Sequence, residues 1–325
     1  MFFWKKRQPA ARPSLVVLAN CIHVSLSLVL RKSGLFSAVD SLEVYSVPEK
    51  DRQREAEKLA AADLILTIEH GEAFGPFSTA ALQKAYPGRI FSLPTPFFSG
   101  TVPDMAYLSR GGIISRAPAI MGDYHSALLL MECQSGYSEV DIVDRYESGE
   151  SFRRLDVKGV WDDNMRELKS RELNTSFRIS DYIESRAAER KVAEDFLSFN
   201  HPREGLVNHI ARSFAKLALG PKADIPELPA CEHNLYQDAL WPVHPVVSEI
   251  LGLAVAQPPV YKTPDRLGGE RLAIREFASR SCRFLNEGDA CGEFQIVTPR
   301  YLGSRMVRPR PEEPSNMARH LRRRT

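Results

Sequence analysis

Asn20-Cys21 and Asn200-His201 are the groupings in this sequence best able to do chemistry. A thiol is a nucleophile once it loses its proton, and imidazole moves protons near neutral pH. A neighbouring amide or backbone N–H can steady an oxyanion. Together they suit nucleophilic and acid–base chemistry. Gly122-Asp123-Tyr124-His125-Ser126 and Arg171-Glu172 add a second histidine, two carboxylates and a cation. Pro202 holds His201 to extended geometry and so gives its ring a defined direction. Free cysteine is most often a small buried hydrophobe, and an isolated histidine such as His125 is more often structural than catalytic. The grouping, not any single residue, therefore carries the reading.

These side chains need elements to bring them together. Ser14-Leu-Val-Val-Leu-Ala19 has the aliphatic, β-branched make-up of a central parallel strand, which puts Asn20 and Cys21 at its carboxyl end. Ligands of open α/β sheets bind outside such ends. A helix N-terminus there is expected to favour the thiolate of Cys21. Further strands are expected at 41–46, 63–68 and 89–93, with a crossover helix over 49–62. Right-handed crossovers would put all four strand ends on one rim, with Glu69-His70 after the third strand. After Gly112 the pattern turns helical. Helices are expected at 124–132, capped by Asp123, and at 139–146, 161–173, 180–190, 205–219, 234–255 and 272–285. The fold class is α/β, a doubly wound parallel sheet with a largely helical C-terminal part.

The chain has 325 residues, of which 43% are hydrophobic and 26% charged, enough to bury a full core. Its five cysteines are an odd set without a CxxC pair, which argues against a disulfide framework and a structural zinc site. The histidines lack the spacing of a metal site, so no metal is expected. A cytoplasmic setting follows. The net charge of +2 hides basic ends, residues 1–13 and 300–325, around an acidic body of about −8. Such ends suit solvated tails or weak contact with the inner face of a membrane, with no specific nucleic-acid partner. The uncharged run 13–30 imitates an anchor, but Asn20, His23, Ser25 and Ser27 interrupt it.

Ala19-Asn20-Cys21, Asp63-Leu64-Ile65, Gly100-Thr101-Val102-Pro103-Asp104, Gly122 to Ser126, Arg171-Glu172 and Phe199-Asn200-His201-Pro202 occur in an order that resembles the WcbI family of polysaccharide-biosynthesis proteins. The resemblance covers roughly residues 15–219. It implies an SGNH-hydrolase-like α/β fold, coenzyme A binding, and acetyl transfer to a sugar hydroxyl of capsule or another surface polysaccharide. Ala19 and Ile22 stand where the family pattern usually has glycine and glutamine. The expected organisation is a basic tail (1–13), a catalytic domain (14–220), a helical extension (221–299) and a second basic tail (300–325).

In this reading acetyl-CoA is the co-substrate. His201 is the general base, His125 its substitute or partner, and Asp123 or Glu172 the orienting carboxylate. Asn20 and the Cys21 N–H line the oxyanion site. Cys21 is either an acyl-accepting nucleophile or a lining of the thioester pocket. Asn20, His23, Arg110, Arg171 and Asn200 are expected to hold the cofactor. Trp161 is a packing residue or a stacking platform. Two alternatives remain open: an esterase or deacetylase with the same groups, and a non-catalytic envelope-assembly protein.

Overall fold

The computed structural model describes residues 12–111, 113–114, 119–227, 234–254 and 259–298. The two basic ends, apart from Arg12 and Pro13, lie outside the described residues.

The amino-terminal part alternates strand and helix: β1 (Ser14–Ala19), α1 (His23–Lys32), β2 (Ala38–Glu43), α2 (Arg52–Ala61), β3 (Leu64–Ile68), α3 (Thr79–Ala85) and β4 (Ile90–Leu93). The four strands form a parallel sheet in the order β2-β1-β3-β4. β1 is central and buried on both faces, as its unbroken apolar run requires. Val16 and Leu18 pack with Leu59 of α2 and Leu82 of α3. Leu15, Val17 and Ala19 join the main core with Leu26 and Leu30 of α1. After β2 the chain returns to the other side of β1, so β1 and β3 flank the point where strand order reverses. That crevice is where such sheets bind ligands.

β2 lies three residues earlier than expected, because Val44–Ser46 leave the strand as a 3-10 turn. The consequence is that Tyr45 stands on the rim. The expected crossover helix is a 3-10 turn, Glu49–Asp51, running into α2.

A second sheet was not legible in the sequence. β5 (Met105–Arg110) pairs antiparallel with β6 (Ile113–Ile114), β7 (His125–Ser126) and β12 (Phe294–Thr298). Met-Ala-Tyr-Leu-Ser-Arg contains no β-branched residue and one aromatic, Tyr107, so propensity gives β5 only a weak signal. The helices then follow: α4 (Ala127–Gln134), α5 (Glu139–Glu147), α6 (Glu150–Arg153), α7 (Val157–Arg171) and α8 (Ser180–Ala188). The hairpin of β8 (Phe196–Ser198) and β9 (His201–Pro202) leads into α9 (Glu204–Leu219). Phe214 of α9 stacks on Phe36 and meets Phe91, closing the sheet face that α1 also covers.

Asp123 does not cap α4. Ser126 does, accepting from the Leu129 N–H at 3.3 Å, and the helix starts at Ala127. The helix expected over 234–255 is instead a 3-10 turn, Asn234–Gln237, and the short α10 (Pro245–Leu251). Pro242 and Pro245 explain the break, since neither can continue a preceding helix. β10 (Tyr261–Lys262) pairs with β11 (Arg271–Leu272), and α11 (Ile274–Asn286) follows.

Residues beyond 220 belong to the main core: Leu235, Trp241, Tyr261 and Phe277 are buried in it. Buried Asp104 ties them in, accepting from Tyr146 of α5 at 2.7 Å and from Trp241 Nε1 at 3.3 Å. Gly100 is explained by packing, because a Cβ there would sit 2.6 Å from the Phe98 ring.

Candidate active site

Cys21 follows β1 in the tight turn that opens α1. The Asn20 carbonyl accepts from the His23 N–H at 2.9 Å, and Asn20 Oδ1 accepts from the Ile22 N–H at 3.4 Å. Asn20 is thereby fixed through its oxygen, leaving its amide N–H groups to donate. The backbone N–H groups of Cys21 and Ile22 point at the thiol and favour its charge, as a helix start should. Burial outweighs them, and Asp238 and Glu43 add to it, so the Cys21 thiol is pushed up to about 12. The expected thiolate is therefore replaced by a neutral thiol. No hydrogen bond joins it to His201.

His201 is held by the β8–β9 hairpin, whose turn is stitched in place by main-chain bonds. The Phe98 N–H donates to the Phe199 carbonyl, and the Trp241 N–H to the Leu197 carbonyl, both at 2.6 Å. The imidazole is 4% exposed, and burial lowers its pKa, with Asp238 opposing and Arg266 assisting. His201 Nδ1 lies 3.5 Å from Asp238 Oδ2 and 3.5 Å from the Tyr124 hydroxyl. The carboxylate beside the ring is Asp238, where Asp123 or Glu172 was expected. Glu172 is buried and accepts from the N–H groups of Ile179 and Ser180 at 2.7 and 2.8 Å, and from the Ser180 hydroxyl, which makes it the anchor of α8.

Asn200 knits the site together. Its Oδ1 accepts from Tyr124 at 2.8 Å and Ser198 at 3.0 Å, while Nδ2 donates to the Tyr107 hydroxyl at 3.1 Å. Tyr107 of β5 and Tyr124 before β7 stack at 5.6 Å, and both meet Phe199 edge-on. Burial pushes the Tyr107 phenol up to about 12, and Asp123 beside it acts in the same direction. Gly122 adopts φ +68°, and a Cβ there would lie 2.8 Å from Arg266 Nη2. That close approach lets Arg266, 60% exposed in its side chain, reach Asp238 at 3.5 Å.

Cys21, Asn200 and His201 thus gather on one rim with Asp238, Tyr107, Tyr124 and Arg266. His125 faces away from Tyr124, as alternation along β7 demands, and its ring stacks on Phe284 of α11. His23 lies half-buried on the first turn of α1, its pKa lowered by burial against the opposing charge of Glu43. Arg110 pairs with Glu293 at 2.5 Å. Arg171 donates to the carbonyls of Thr95 and Phe97 at 2.6 and 2.8 Å and clamps the loop between β4 and β5. Trp161 packs edge-on against Phe98.

Asp238, Tyr107 and Arg266 escaped the sequence reading. Asp238 lies in a segment that read as helix, where an aspartate passes for a solvated residue. Its position beside the Trp241-Pro242 break was the available signal. Among the described residues no group of three or more histidine, cysteine or carboxylate side chains could hold a metal, and no helix is long and apolar enough to cross a membrane.

A parallel sheet with polar groups converging at its switch point defines an α/β fold of enzyme type. The chain belongs to the family described as polysaccharide biosynthesis enzyme WcbI, whose family model matches residues 14–222. A solved structure of WcbI, described as a novel polysaccharide biosynthesis enzyme, in native form without a disulfide bond between coenzyme A and one of its cysteines, is similar with a TM-score of 0.68 and 17% identity. The similarity covers 87% of this chain and 92% of that one, so the shared fold extends past the family-matched residues. No curated protein sequence matches the chain.

Proposed function

We propose that this polysaccharide biosynthesis enzyme transfers an acetyl group from acetyl-CoA to a sugar hydroxyl. The observation that carries the reading is the His201–Asp238 pair set beside the neutral Cys21 thiol at the switch point of the sheet. Coenzyme A named with the solved WcbI supports the choice of donor. A disulfide between that cofactor and a cysteine requires the two sulfurs to come within bonding reach. Among the described cysteines here, Cys21 lies on the rim, while Cys133, Cys282 and Cys291 sit together around α4 and α11.

The residues present fit the thiol end of the cofactor. Cys21 is uncharged and half-buried, and Tyr45, Phe74 and Tyr107 give the rim apolar surface. Of the arginines expected at the phosphate end, Arg110 pairs with Glu293 and Arg171 with the loop carbonyls. Arg266 is a described cation that faces the site.

When bound, acetyl-CoA supplies an acyl group activated as a thioester. Tyr124 gives its proton to Asn200 Oδ1, so His201 Nδ1–H faces the Tyr124 oxygen, with the Asp238 carboxylate also 3.5 Å away, and Nε2 is left as the basic lone pair. Burial keeps the ring neutral and ready to take the acceptor hydroxyl's proton at Nε2. With its oxygen engaged by the Ile22 N–H, the amide of Asn20 would donate to negative charge developing on the acyl oxygen. Cys21 lines the pocket as a thiol, since a group pushed up to about 12 is protonated at neutral pH. Transfer is direct.

The test combines calorimetric binding of coenzyme A with intact-protein mass spectrometry after exposure to acetyl-CoA. Binding without an acetyl adduct on Cys21 is expected. A Cys21 adduct that decays when acceptor is added would replace direct transfer by a covalent route, and no binding would remove the acyl-CoA reading.

A further inference from the structure

His70, noted at the carboxyl end of the third strand, takes no part in the chemistry above. Its backbone is pinned to the start of α3: its N–H donates to Thr79 Oγ1 at 2.8 Å, and its carbonyl accepts from the Thr79 N–H at 3.0 Å. The side chain is 3% exposed. Thr67 spends its hydroxyl proton on the Ile68 carbonyl at 2.8 Å. Its 3.3 Å contact with His70 Nδ1 must then be one in which the imidazole N–H donates. Nδ1 carries the proton, and Nε2 is a bare acceptor, buried with no hydrogen-bond partner. Buried polar groups are rarely left so.

The place matters as much as the vacancy. Tyr45 follows β2 and His70 follows β3, the two neighbours of β1, so their contact at 6.2 Å bridges the rim beside Cys21. Tyr45 is close enough to Cys21 for a charge on the thiol to act on its phenol. Phe74 closes the other side, 5.1 Å from both rings. The subsite is an aromatic wall with one recessed acceptor. A sugar, with hydroxyls on every face, would need several polar partners there, whereas the single N–H of a secondary amide flanked by methylenes needs one acceptor.

We propose that His70 Nε2 accepts the sulfur-proximal amide N–H of the pantetheine arm, with Tyr45 and Phe74 packing against the arm. This rests on the acyl-CoA reading above. Tyr45 is 61% exposed, so its ring can swing aside to admit the ligand.

The test uses S-ethyl pantetheine and an analogue whose sulfur-proximal amide is replaced by an ester, which removes the N–H donor, puts an oxygen in its place and weakens the carbonyl, the last effect being common to wild type and variants. Calorimetry should show wild-type protein binding the amide about 5-fold more tightly, the worth of one neutral hydrogen bond. His70→Phe should erase that preference, and His70→Gln, which returns an acceptor to the same region, should restore it. A ratio within each variant does not depend on the fraction folded. An unchanged preference in His70→Phe overturns the proposal, as does a wild type indifferent to the two mimics, which would leave Nε2 to a buried water. If coenzyme A itself fails to bind wild-type protein, the acyl-CoA reading falls first and this inference with it.

Discussion

At the scale of residues, one carboxylate changes what the histidine can do. Asp238 raises the pKa of His201 against the effect of burial, so removing its charge must lower that pKa further. The acid limb of the pH profile of kcat/KM is therefore expected at lower pH in Asp238→Asn, with a lower plateau. A limb that stays in place would show that Asp238 does not orient the base. His201→Ala should cost about 100- to 10,000-fold in kcat, the range for a lost general base. Cys21→Ala should cost far less, about 10-fold or under, if the thiol lines the pocket, and activity would vanish if it carried the acyl group. Asn20-Cys21 and Asn200-His201 were legible because a polar pair interrupts an apolar run beside structural punctuation. Asp238 was not, because its meaning comes from the chain folding back against a hairpin 37 positions earlier.

Elements show why some conspicuous residues are structural. Glu172 receives two main-chain N–H groups and a hydroxyl at the start of α8, so Glu172→Ala leaves those donors buried without an acceptor. Thermal or denaturant unfolding should show a loss of about 2 kcal/mol or more, with kcat of the folded fraction unchanged. A kcat collapse at unchanged stability would instead put Glu172 in the chemistry. His244 caps α10 by accepting from the Val246 N–H through Nδ1, and burial lowers its pKa to about 4. Between pH 6.5 and 4 the unfolded chain binds a proton there and the native state does not. This residue's contribution to stability is therefore present above pH 6.5 and lost as pH falls to about 4. His244→Asn keeps a cap and removes the titration, so its unfolding should be less sensitive to acid than wild type in that window. Periodicity found the long elements, including β1, α5 and α9. It missed β5 and β12, whose pairing joins segments nearly 190 residues apart and whose stability is tertiary.

For the whole molecule, the family match ends at residue 222, yet the site does not. Asp238 and Arg266 lie beyond it, and Trp241 and Tyr261 complete the polar core around Asp104 and Tyr146. A chain ending at 222 would lose that packing and leave Asp104 without the Trp241 donor. It is expected to fail to fold cooperatively, as circular dichroism on heating would reveal; a cooperative, coenzyme-A-binding fragment would show that residues 14–222 suffice. The sheet order, with its reversal beside β1, explains why one rim collects groups from loops far apart in sequence. The most direct measurement of the central claim is the fate of labelled acetyl from acetyl-CoA in the presence of surface polysaccharide from the producing cell. The account predicts an alkali-labile ester on the polysaccharide that is lost with His201→Ala. Label appearing only as free acetate, or transfer unaffected by His201→Ala, would contradict it.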